Sequence, residues 1–268
     1  MKIDEKKFRQ LLARDLSIPS PEELRRVDDI FFVGGNLPER PTLETLYDSH
    51  YQSHAALFHL TFGDPDSFAN AETLAHMIKK NFNTRLVARL DFPAPASLIE
   101  RAYAAGVDIL DVPLTVFDAS RSAGGEACFE KRLRTIECAR YVFPRWSVVS
   151  TLVAGLEPAA STVAGIDALL SAEVVPLVTL SEQARQLPQH EVSKIYTHLH
   201  AGWRASKAAT KPLLPLINLF TPLVPAASRG VVRGLIDLID DRRQLAASDL
   251  RRILRVKEVE QSFESAAL

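Results

Sequence analysis

Residues 148–155 read Val-Val-Ser-Thr-Leu-Val-Ala-Gly, a run that is almost continuously apolar, rich in β-branched side chains, and closed by a glycine. A strand with one wet face alternates apolar and polar residues, whereas a strand covered on both faces has no need to. The run therefore reads as a central strand of a parallel sheet flanked by helices. Working outward, similar β-rich runs occupy 29–33, 57–62, 85–91, 108–117 and 174–180. Stretches of helical period lie between them, at 43–51, 71–80, 96–105, 130–142 and 161–170. Strands alternating with helices predict βαβ units with right-handed crossovers and a parallel sheet. The turn chemistry follows the strands: Gly34-Gly35-Asn36, Gly63-Asp64-Pro65-Asp66, Asp91-Phe92-Pro93 and Gly155-Leu156-Glu157-Pro158. In a parallel α/β sheet the loops after the strands form the site.

The flanks read differently. Phe8, Leu11 and Leu12 recur at helical spacing, and Ser20-Pro21-Glu22-Glu23 offers an N-cap, a proline at N1 and acids for the first turn of a second helix. Residues 1–28 are thus expected to be a helical lead-in, 29–181 a six-stranded α/β unit, and 182–268 a helical C-terminal extension. Within that extension, residues 211–225 are apolar but broken by four prolines. Fifteen residues are too few for a helix to cross ~30 Å of hydrocarbon. Residues 228–241, with Arg229 and Arg233, form an amphipathic helical pattern. The extension is expected to pack across the open side of the sheet, the alternative being docking on a protein partner or a membrane surface.

Composition narrows the class. With 47% hydrophobic and 24% charged residues, the chain of 268 residues is neither disordered nor a disulfide scaffold. Lys+Arg 32 balance Asp+Glu 33, so no basic field points to nucleic acid. Two cysteines and no apolar segment near the N-terminus lead to the expectation of a cytoplasmic protein.

Arg89 and Asp91, two apart near a strand end, share a face and are the candidate catalytic residues. Charges in an apolar strand need partners, so they pair with each other or with Asp111, or they line a pocket for an anionic or amino-acid ligand. Asp108 reads as a loop residue. His50 and His54, at i and i+4, have metal-ligand spacing, but no third ligand accompanies them and two surface histidines are the simpler account. Cys128 and Cys138 read as small buried hydrophobes.

In order along the chain, LTFGDPDSF (60–68), LIERAYAAGVDILDVPLTVFD (98–118), VVSTLVAGLEP (148–158) and AEVVPLVTLSE (172–182) resemble the strand-two, strand-four, strand-five and strand-six motifs of the radical S-adenosylmethionine family, in its biotin-synthase-like branch. The resemblance covers a little over half the chain. It implies a partial (β/α)6 TIM-like barrel binding S-adenosylmethionine or a related nucleotide. Carried over, Gly63, Asp64 and Pro65 would meet the amino-acid end, Thr115 would lie near the ribose, and Gly155 and Glu157 would meet the nucleoside end. The chain departs from the family in the loop after strand one, GGNLPERPT (34–42), which lacks the CxxxCxxC motif that holds a [4Fe–4S] cluster. No such cluster is expected. The function expected is therefore a cluster-free, accessory or repurposed member binding a small ligand at the strand ends. The alternatives are an acid–base barrel enzyme using Arg89, Asp91, Asp64 and Glu157, or a radical enzyme with an unconventionally ligated cluster.

Overall fold

The apolar runs become strands close to where the sequence marks them. A computed structural model describes residues 2–13, 20–224, 246–247 and 249–255. In chain order the elements are β1 (Lys2–Ile3), α1 (Glu5–Ala13), β2 (Leu24–Val27), β3 (Ile30–Gly34), α2 (Glu39–Gln52), β4 (Leu57–Phe62), α3 (Phe68–Asn81), β5 (Arg85–Leu90), α4 (Ala96–Ala104), β6 (Ile109–Asp111), α5 (Gly125–Val142), β7 (Val148–Ala154), α6 (Ala159–Ser171), β8 (Val175–Leu180), α7 (Gln189–Ala205), α8 (Leu214–Phe220) and β9 (Leu223–Val224). Strands β2 to β8 form one sheet in sequential order. Strands β3 to β8 are parallel, β2 is antiparallel to β3, and the sheet curls into a half-barrel.

Two sequence expectations need correction. The helix expected from Ser20 is instead β2, so the sheet has seven strands rather than six. The edge of β3 offers a full ladder, with Leu24 opposite Val33 and Val27 opposite Ile30. Those bonds outweigh the short-range capping signature. The strand expected over 108–117 is regular only at Ile109–Asp111. Pro113 has no N–H to give the ladder, and the chain rejoins β7 only at Thr115, through an isolated bridge to Leu152. Ser150 stitches the gap, its hydroxyl donating to the Val112 carbonyl at 2.8 Å and accepting from the Leu114 amide at 3.2 Å.

Period two divides the strand side chains between two faces. On the outer face Phe58 lies 5.0 Å from Phe82, at the end of α3, and Phe62 lies 4.9 Å from Phe68, at its start. On the inner face, His59, Val87, Asp111, Val149, Thr151, Leu177 and Thr179 converge on Leu216 and Phe220 of α8. The proline-rich segment, over its described residues 211–224, thus becomes a short plug inside the half-barrel, tied down by the pairing of β9 with β1. Pro176 lies in the last strand, β8, whose far side is covered by α7. There the Trp203 indole donates to the Pro176 carbonyl at 3.1 Å, and the Tyr196 hydroxyl donates to that of Val178 at 3.4 Å.

The helical segment 249–255 clasps the opposite end of the barrel from the strand-end loops. Arg252 donates to Asp108 Oδ1 at 2.9 Å and to the Val107 carbonyl, and Arg255 makes two bonds to Glu100. Segment 249–255 thus packs on one end of the barrel and not across its open side, while the amphipathic stretch 228–241 lies outside the described residues. Among the described residues no helix is long and apolar enough to cross a membrane.

Candidate functional site

Parallel pairing sets Thr61, Arg89 and Asp111 side by side on three adjacent strands, on the inner face near the strand ends. Arg89 donates from Nε to Asp91 Oδ1 at 2.7 Å and from Nη1 to Asp111 Oδ2 at 3.3 Å. The pairing expected from sequence is thus present with both acids at once, one guanidinium serving two carboxylates. Thr151 of β7 donates its hydroxyl to Asp111 at 3.0 Å. Depth separates the two acids: the Asp91 side chain is 39% exposed and that of Asp111 is 3% exposed. Burial pushes the Asp111 carboxyl up to about 6, despite the opposing pull of Arg89 and the Thr151 bond. Arg89 Nη2 and Asp91 Oδ2 have no partner among the described residues. The mouth therefore presents a donor and an acceptor side by side.

Below this row lies a cavity of about 10 Å³ lined by His59, Asp111, Thr151 and Thr179 among apolar neighbours. His59 is 2% exposed and its Nδ1 has no partner. Burial, aided by the positive charge of Arg89, lowers its ring to about 3, so it is neutral at physiological pH. Nothing local in the sequence marks a strand histidine as facing inward beside a buried acid.

The loops after β4 and β7 are organised by the chain itself. Asp64 is exposed and accepts the Ser67 amide at 2.8 Å, which with the Ser67 hydroxyl holds its carboxyl below the usual carboxylate range. A Cβ on Gly63 would meet the Asn36 and Ser67 side chains at 2.9 Å. Gly63, Asp64 and Pro65 therefore form a self-capped turn at the rim leading into α3, beginning one residue past the Phe62–Leu90 pair. Gly155 has φ +99, and a Cβ there would lie 2.6 Å from the Ala184 amide and from Ser181 Oγ. The space expected for a planar ligand is filled by the turn at Glu182–Gln186. Glu157 is 4% exposed and committed: Oε2 accepts the Phe117 and Asp118 amides at 2.8 Å, and Oε1 accepts the Thr162 hydroxyl at 3.1 Å. It anchors the loop after β6. Thr115, with φ +70, uses its amide and carbonyl on Thr151 and Val153 of β7. Of the eight residues singled out from sequence, the structure joins Arg89 and Asp91 in one cluster. It leaves the other six in loop architecture.

A [4Fe–4S] cluster does not fit these residues. The loop after β3 has no cysteine, and both cysteines of the chain lie on α5. Among the described residues no three His, Cys, Asp or Glu side chains are placed to hold a metal ion. The His50–His54 pair is spent locally. His50 Nδ1 accepts the Ala55 amide at 3.1 Å, which leaves its Nε2 to donate to His54 Nδ1 at 3.1 Å. At the nucleoside end that the resemblance implies, Gly155 lies against Ser181 and Ala184, and Glu157 is already bonded to the Phe117 and Asp118 amides. Comparison with known proteins gives no match, either to a family model or to a curated protein.

Proposed function

We propose that the chain is a cluster-free half-barrel on the partial TIM-like plan that the radical S-adenosylmethionine motifs resemble. In this reading it binds a small polar ligand at the mouth formed by Arg89 and Asp91. The single observation that carries it is the Asp91–Arg89–Asp111 row, which crosses from the exposed rim to the buried interior and leaves one donor and one acceptor facing out. A zwitterion such as an α-amino acid matches that pair, its carboxylate on Arg89 and its ammonium on Asp91. S-adenosylmethionine enters here only as a molecule that carries such a group, bound in a pose that leaves the turn at Glu182–Gln186 in place. A second reading, an acid–base enzyme, draws on Asp111, whose pKa of about 6 suits a group that holds and releases a proton near neutrality.

Calorimetric titration of anaerobically purified protein with methionine and with S-adenosylmethionine tests both, with iron assayed on the same sample. The reading expects binding without iron, and an affinity loss of about 10–100-fold in Arg89→Ala, the scale of one charge-assisted contact. Affinity that survives Arg89→Ala overturns the placement. Stoichiometric iron with a sulfide-to-iron absorption band would instead favour the radical alternative.

A further inference from the structure

The cavity below Arg89 has a chemistry of its own. It is the size of a single water, about 10 Å³, and a buried water needs two to four polar partners. The walls supply them: His59 from β4, the Asp111 carboxylate from β6, and the Thr179 hydroxyl from β8. His59 Nδ1 is fully buried without a protein partner, a costly arrangement for a ring nitrogen unless something in the cavity bonds to it. Of the remaining walls, Thr151 already gives its hydroxyl to Asp111, and Val87, Val149, Leu177, Leu216 and Phe220 are apolar.

We propose that this cavity is a hydration site, holding one water that donates to His59 Nδ1 and to the Asp111 carboxylate and links the two across β5. The water makes His59 a reporter of the charge state of Asp111. The charged and titratable groups that face Asp111 are Arg89 and Asp91 from β5 and its end, and His59 across the cavity. Thr151 adds a hydroxyl, and α8 contributes only apolar side chains. When Asp111 takes up a proton, the water turns to accept from the acid while still donating to His59. Arg89 is then left with Asp91 as its only charged partner in the row. The site stands whether or not a ligand binds at the mouth.

The test combines a crystal structure of the full chain with ¹⁵N NMR of histidine-labelled protein across pH 5 to 8. One water is expected within hydrogen-bond distance of His59 Nδ1 and an Asp111 oxygen. The His59 ring is expected to stay neutral with the proton on Nε2. Its Nδ1 resonance should inflect near pH 6, and the inflection should vanish in Asp111→Asn. If that variant fails to fold, Thr151→Val serves instead: losing a bond to the ionised acid, it should move the His59 midpoint upward. A dry cavity, or a His59 resonance that is flat through this range in the wild type, overturns the proposal.

Discussion

Asp108 and Asp111 stand three residues apart, at the two ends of β6, and both are buried. Asp108 meets two cations, Lys79 Nζ at 3.0 Å and Arg252 Nη2 at 2.9 Å, and also accepts the Leu86 amide at 2.9 Å. Asp111 has half of one guanidinium at 3.3 Å and a threonine hydroxyl. The first is over-supplied with positive charge and fastens three distant parts of the chain together. The second is under-supplied, so burial wins and its carboxyl rises to about 6. Residue type and depth are the same at both ends; the count of charged partners is what differs.

The largest effect that tests this contrast comes at the clasp. Asp108→Ala leaves Lys79 and Arg252 with only the half-exposed Asp249 as an acid, and loss of the buried pairs is expected to cost about 3–5 kcal/mol in urea unfolding. A cost as small as that of a surface substitution would dissolve the distinction.

At the other end the signature is pH dependence. The Asp111 carboxyl is raised, so its contribution is fully present below the ordinary value of 3.8 and is lost as pH rises through about 6. The His59 ring is lowered from 6.5 to about 3, so its contribution is present above 6.5 and is lost as pH falls toward about 3. Between pH 4 and 6 the two slopes oppose, each reaching at most about 1.4 kcal/mol per pH unit. Relative to wild type, His59→Phe is expected to lose stability as pH rises through this window, and Asp111→Asn to gain it. Parallel stability curves for the two variants would break the assignment.

A smaller effect sharpens the boundary of the mouth. Glu157→Gln replaces a carboxylate that accepts two backbone amides and is expected to cost about 1–3 kcal/mol. Faster amide exchange should appear at Phe117 and Asp118, with ligand affinity unchanged. The smallest effect belongs to Asp64→Ala. The exposed Ser67 cap is lost, the melting temperature falls slightly, and binding at Arg89 is untouched. A large loss of affinity in Asp64→Ala would return the site to the β4 loop.

The parallel sheet was legible because each strand announces itself locally. The 57–62 run matches β4 at both ends, and the 148–155 run is β7 up to its closing glycine. What the sequence hides is pairing at a distance. Leu24-Arg25-Arg26-Val27 becomes a strand only because the edge of β3 is there to receive it. Arg89 and Asp91 could be read as a pair from their spacing. The weight of Asp108 could not, because its partners come from residues 79 and 252. Glycines at strand ends pointed toward ligands, yet at Gly155 the missing Cβ makes room for the protein's own backbone. A turn glycine and a ligand glycine look alike until the neighbour is known.

The covering of β8 by α7 has a consequence for assembly. A half-barrel has two free margins, and an exposed margin is a template on which another chain can lay a strand and begin a fibril. Here two successive outward carbonyls of the last strand are already taken by Trp203 and Tyr196, and Pro176 brings no amide to offer. At the other margin β2 carries Arg25 and Arg26 in succession, and charge on an edge strand discourages stacking. The incomplete barrel is thereby guarded at both margins without being closed, and neither edge offers an unbroken ladder for a further strand.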